Sequence, residues 1–161
     1  MAADIFLKIT DIKGESKNKG HEKELDIRSW SWGLSQIGTM ATGSGGGGGK
    51  VQVRNLNITR YVDAASTDLV LACCNGKHIP EAVLTCQKAG GTPLPYIKIT
   101  LTNVILTNYD LVGHAQAEDL FTEVFSLNFE RVKMEYDTQS DNGAKGDHYQ
   151  MGWDVAKNTK L

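Results

Sequence analysis

The sequence has little of several things on which common functions depend. It has no excess of positive charge: 17 Lys and Arg stand against 19 Asp and Glu, a formal charge of −2 at pH 7. No basic field is therefore expected to attract a phosphate backbone, and nucleic acid is excluded as an expected partner. The opening residues, Met1 to Lys8, lack a basic leader and an extended apolar stretch. The expectation is synthesis in the cytoplasm without membrane insertion, and any export by a route that reads no N-terminal signal. Cysteine is scarce: Cys73, Cys74 and Cys86 are odd in number and two are adjacent, which points to reduced, buried thiols rather than a disulfide framework.

Catalytic and ligand-binding patterns are equally sparse. His21, His78, His114 and His148 fall in four separate segments, none with a second ligand at i+2 or i+4, so no metal pair is indicated and surface or turn positions are expected. No GxSxG, HExxH or CxxC occurs, and the cysteines lie on or near predicted apolar faces where a thiolate is disfavoured. Glu118, Asp119 and Glu123 form a local acidic group that reads as a solvated strand entrance. The run Gly43-Ser44-Gly45-Gly46-Gly47-Gly48-Gly49-Lys50 resembles a phosphate loop only superficially. Ser44 stands where a Walker motif needs glycine, and Val51 where it needs the magnesium-binding hydroxyl. A GxGxxG drawn through Gly43, Gly45 and Gly48 is met by any polyglycine tract, and no crossover helix follows. No catalytic residue, cofactor or metal is predicted.

What the chain does contain is alternation. Its 161 residues suffice for one substantial core, and a single domain over 1–161 is expected. Apolar residues recur with period two between Gly, Asn and Asp clusters, so the fold class is mainly β. Ile5, Leu7 and Ile9 share one strand face. The apolar phase then slips, from Leu25 and Ile27 to Trp30, Trp32 and Leu34, and again between Val51/Val53 and Leu56/Ile58. Further slips separate Ile97/Ile99/Leu101 from Val104/Leu106, and Phe125/Leu127/Phe129 from Val132/Met134/Tyr136. A one-residue slip turns a strand's apolar set to the other face, so bulges, the first near Arg28 or Ser29, and bent strands are predicted. Bent strands suit a closed barrel or two packed sheets. One short α-helix is expected over 66–75, capped by Ser66 or Thr67, favoured by Asp68 in its first turn, ended by Gly76, and buried along Leu69, Ala72 and Cys73. The run Tyr149, Met151, Trp153, Val155 predicts a final strand that closes the barrel.

Several segments resemble, in order, those of the Hcp family (haemolysin-coregulated proteins) of type VI secretion systems. They include Asp4-Ile5-Phe6-Leu7-Lys8-Ile9, Asp11 to Ser16, Ser29-Trp30-Ser31-Trp32-Gly33 and the glycine run followed by Lys50-Val51. Cys73 to His78, Lys88-Ala89-Gly90-Gly91, Ser126 to Phe129 and Gly152-Trp153-Asp154 continue the resemblance across nearly the whole chain. It implies a barrel with one helix, like a phage tail-tube protein, that assembles as a homohexameric ring. Stacked rings would form a tube surrounded by a contractile sheath, tipped by a spike protein, exported without a signal peptide and able to carry small effector proteins in its lumen. Within that scheme Ser29 and Ser31, opposite the Trp30/Trp32 face, are candidates to line the lumen, and Gly43 to Lys50 to form a ring-stacking loop. No additional C-terminal domain is expected after Trp153. A phage-like tail-tube protein and a monomeric ligand-binding barrel are the alternatives.

Overall fold

The computed structural model describes residues 3–41, 43, 48–89, 94–116 and 120–161. In chain order the elements are β1 (Ala3–Ile9), β2 (Leu25–Asp26), β3 (Ser29–Ser31), β4 (Leu34–Ser35), β5 (Gln52–Val53), β6 (Leu56–Tyr61) and α1 (Ser66–Asn75). They are followed by β7 (Ile79–Lys88), β8 (Pro95–Val112), β9 (Thr122–Gln139), β10 (Lys145–Asp154) and β11 (Thr159–Lys160). All strand pairing is antiparallel.

The barrel closes where the chain changes partners. β9, β8, β7, β1 and β2 pair in that order, while β3 pairs with β6 and β6 returns to β9. At the junction, the Ile27 amide donates to the Ile5 carbonyl at 2.9 Å and the next amide, Arg28, donates to the Thr59 carbonyl at 3.0 Å. The first phase slip is thus a handover between two walls, rather than the bulge expected near Arg28 or Ser29. The second slip is a similar break: β5 leaves with β4 as a two-stranded arm, and β6 begins after it on the barrel.

The last two slips share one physical origin. In register, Ile79 of β7 lies opposite Val104 of β8, and Val104 opposite Phe129 of β9, all buried. Before the slip on β8, Leu101 lies between Ala82 and Val132, again all buried. The apolar phase therefore changes in three adjacent strands along one line, with Asn103 at φ 54° on the middle strand. Asparagine tolerates this left-handed conformation better than most residues. The line is a corner in the sheet, and pairing on either side of Asn103 keeps the same register. A true register shift follows between Leu106 and Asn108.

Leu7, Leu25, Leu56, Ile58, Leu84, Leu101, Phe125 and Leu127 fill the barrel with almost no exposure. α1 lies on the side against β8, with Ser66, Leu69 and Ala72 buried. Gly76 ends it at φ 60°, ψ 38° as expected, but the N-terminal cap differs. Asp63 Oδ1 accepts the Ala65 amide at 2.8 Å, while the Ser66 hydroxyl accepts the Asp63 amide at 3.0 Å. The acidic side chain precedes the predicted hydroxyls because it also meets an ion pair described below.

β10 does not close the barrel. It extends the sheet beyond the far half of β9 and, among the described residues, carries only the short β11 on its outer edge. Tyr149 and Met151 are consequently exposed, whereas Trp153 packs against the core. The residues between β1 and β2 form a second, smaller layer outside the barrel. Phe6, on the opposite strand face from Leu7, is buried there beside Thr85, its partner on β7, and Gln87. Gly14 allows the close return, since a Cβ there would stand 2.6 Å from the Glu24 carbonyl oxygen.

Candidate functional site

Ser29 and Ser31 are exposed on β3, while Trp30 between them packs against the core. β3 runs beside β6 with Ser29 opposite Thr59 and Ser31 opposite Asn57, and Asn57 in turn lies opposite Ser126 of β9. The outward residues of three consecutive strands are thereby gathered on one wall. The Ser126 hydroxyl donates to Asn57 Oδ1 at 2.6 Å, Asn128 Nδ2 to Asn55 Oδ1 at 2.9 Å, and Asn55 Nδ2 to Thr107 Oγ1 at 3.1 Å. These bonds fix the amides and leave a surface of hydroxyl and carboxamide groups without formal charge. At one margin Arg28 stacks over the Tyr61 ring, 4.3 Å from its centre, and at the other Asn108 bonds to Asp110. A surface of this kind offers many weak, adaptable hydrogen bonds and no strong electrostatic trap.

Directly beneath the wall lies a charged network that sequence patterning did not single out. Arg60, 1% exposed, points inward from β6 and is engaged at every end. Its Nη1 meets Glu123 Oε1 at 2.6 Å, its Nη2 meets Asp63 Oδ2 at 2.5 Å, and its Nε donates to the Asp26 carbonyl at 3.3 Å. Tyr109 donates its hydroxyl to the other Glu123 oxygen at 2.5 Å. Burial first, and Glu123 second, push the Tyr109 phenol far above its ordinary range. Glu123 is fully buried, which corrects the expectation of a solvated entrance; Glu118 and Asp119 lie outside the described residues. A signal was available, since Arg60 falls in phase with Leu56 and Ile58, and Glu123 in phase with Phe125 and Leu127. Charged residues on the apolar phase of two adjacent strands are expected to pair. The network ties β6, β8, β9 and the start of α1 into one unit.

The arm formed by β4 and β5 is the second candidate element. It presents Leu34, Ile37 and Met40 at 49%, 65% and 84% exposure, an apolar surface left largely uncovered by the described residues. Gly43, Gly48, Gly49 and Lys50 of the candidate loop are exposed near its tip, and Ser44 to Gly47 fall outside the described residues. At the base, a cleft of about 300 Å³ lies between the arm and β10, lined by Trp32, Val53, Met151 and Trp153. Trp32 is anchored through its Nε1, which donates to the Arg54 carbonyl at 3.0 Å.

The histidines and cysteines show no gathered chemistry. His78 and His114 are exposed and stand apart. His148 bonds to Asp137 at 2.5 Å on the outer hairpin and, with Lys145, holds that carboxyl below its usual range. His21, expected at a surface or turn position, follows a turn, is half-buried and stacks on Phe6. Cys86 is buried, and burial raises its thiol above the ordinary value; Cys73 is half-buried, and Cys74 is exposed rather than packed. Among the described residues no group of His, Cys, Asp and Glu is placed to hold a metal ion.

Residues 6–136 match the family described as "Type VI secretion system effector, Hcp". The chain is 45% identical to protein hcp1 of Pseudomonas aeruginosa over 99% of both chains. Among solved structures, Hcp1 from Salmonella typhimurium superimposes with a TM-score of 0.84 at 40% identity, covering all of each chain. A structure described as a type six secretion system protein gives 0.95 at 27% identity, covering 99% of this chain and all of the other. The chain belongs to the Hcp family of type VI secretion proteins.

Proposed function

We propose that this protein is the tube subunit of a type VI secretion machine, acting as a structural carrier rather than as an enzyme. Copies close into a hexameric ring, rings stack into a tube, and small effector proteins travel in its lumen. The tube would be enclosed by a contractile sheath and capped by a spike protein. It would leave the cell by the secretion route for which the family is named.

The observation that carries this reading is the pairing of an uncharged polar wall with an apolar arm on one subunit. The wall around Ser29, Ser31, Asn57 and Ser126 suits a lumen that must hold cargo without trapping it, because neutral hydrogen bonds exchange readily with water. The arm's exposed Leu34, Ile37 and Met40 suit contact with another subunit, since apolar side chains on a soluble surface gain by leaving water. Such a head-to-tail contact propagates stacks. Ring closure would draw on strand edges: among the described residues β10 pairs on its outer side only at Trp153 and Asp154. The interior of the barrel is filled by side chains, which gives a ligand-binding barrel no support.

The test is deletion of residues 38–48. Intact rings that no longer elongate into tubes, seen by negative-stain microscopy, are expected. Tubes of ordinary length would rule the stacking role out.

A further inference from the structure

The loop between β1 and β2 is held down by a group that the secretion role leaves unused. His21 is only 16% exposed in its side chain, and its ring stacks flat on Phe6, with 4.3 Å between centres and an interplanar angle of 6°. Its Nδ1 lies 3.0 Å from both carboxylate oxygens of Glu24, and its Nε2 lies 3.2 Å from Oε1 of Gln87. An ionised carboxylate and an amide carbonyl oxygen both only accept. With the amide in this orientation, donation at both ring nitrogens requires the doubly protonated ring. Gln87 Nε2 is then a buried donor with no partner among the described residues. Turning the amide over would instead offer its NH₂ to Nε2, which suits only the neutral ring and strands the carbonyl oxygen. Each protonation state thus favours one amide orientation, and neither satisfies Gln87 completely.

We propose that His21, Glu24 and Gln87 form a proton-operated latch, which fastens the 13–24 loop to the outer face of β1 and β7 when the imidazole is charged and loosens it when the imidazole is neutral. The charged ring donates twice, once to a carboxylate, and charge-assisted bonds are the stronger kind. The neutral ring gives up one of those donations. The loop's own backbone bonds run from Gly14 to Lys23, His21 to Asn18, Lys23 to Ser16, Ser16 to Glu24 and Glu24 to His21, and Glu15 ties its start to Asp63 and Ala64, so the latch is a separate attachment, to β1 and β7. Charged groups facing the site are Asp4, opposite Gln87 on β1, and Asp26, opposite Phe6 on β2. From the loop itself come Lys19 and Glu22, both of which bear on the local charge. The latched state is therefore the acid form, in which the ring carries both hydrogens, and the neutral ring of basic solution lacks it. It acts on a wall separate from that of Ser29 and Ser31, and barrel pairing is unaffected.

The test is hydrogen exchange of the full chain over residues 11–26 at about pH 5.5 and about pH 8, corrected for intrinsic exchange. Protection in the loop is expected to fall by about tenfold at the higher pH, the factor for losing one charge-assisted hydrogen bond. His21→Gln should remove that pH dependence. Gln87→Glu, whose carboxylate accepts in either orientation, should keep the loop protected at the higher pH. Equal protection of the unaltered chain at both pH values would overturn the latch, as would a pH effect that survives in His21→Gln. Loss of protection in Gln87→Glu at low pH would overturn it too.

Discussion

Replacing Arg60 with methionine should be one of the most destabilising single changes in the molecule. The side chain is 1% exposed and neutralises Glu123, itself fully buried, while also holding Asp63. Removing the cation leaves a carboxylate in the barrel with only the Tyr109 hydroxyl as partner. Breaking a buried pair from one side costs about 3–5 kcal/mol. For a chain of this length that is a fall in Tm of roughly 6–20 °C. Protonating Glu123 relieves the unpaired charge, so the variant's deficit should shrink as the pH falls from neutral towards acid. Replacing Glu123 by leucine in the same chain removes both charges, and the double variant should be more stable than Arg60→Met alone. Urea unfolding of the single and double variants, at matched association state, measures both effects. A loss under about 1 kcal/mol for Arg60→Met, or a double variant worse than the sum of the singles, would refute the reasoning.

Other expectations are local. Ser31→Trp should leave ring assembly unchanged but reduce effector retention in pull-down, because the exposed position faces away from the core beside Asn57. The Asp154 carboxyl is held below its usual range by the Lys157 amide and by Arg131. It therefore adds stability above the unfolded carboxylate's titration that is lost as the pH falls, and Asp154→Asn should lower the midpoint at pH 7 but not in strong acid. Mass spectrometry after brief maleimide treatment should find Cys74 labelled first and Cys86 untouched until the protein unfolds, since Cys86 is buried and its thiol raised by that burial.

The elements most legible in the sequence were those set by local chemistry. α1 and its glycine end follow from a helical apolar stripe and one left-handed position. The phase slips correctly flagged where the barrel turns, but period alone did not separate a corner from a change of partner. Ile27 and Arg28 bond to different strands far away in sequence, and the slip at Asn103 is shared by β7, β8 and β9. β10 was misplaced because alternation shows that a strand has an apolar face, not which neighbour covers it. At the candidate wall, the outward aim of Ser29 and Ser31 was readable from Trp30 and Trp32. The amide ladder through Asn55, Asn57 and Asn128 was not, because it depends on the register of β6 against β9. Arg60 and Glu123 each broke the apolar phase, and their pairing is what the third dimension adds.

Solution mass bears most directly on the ring. Light scattering over a concentration series, with negative-stain images of the same fractions, should give a hexameric mass and particles with a central hole. A monomer persisting at high concentration would contradict the tube subunit.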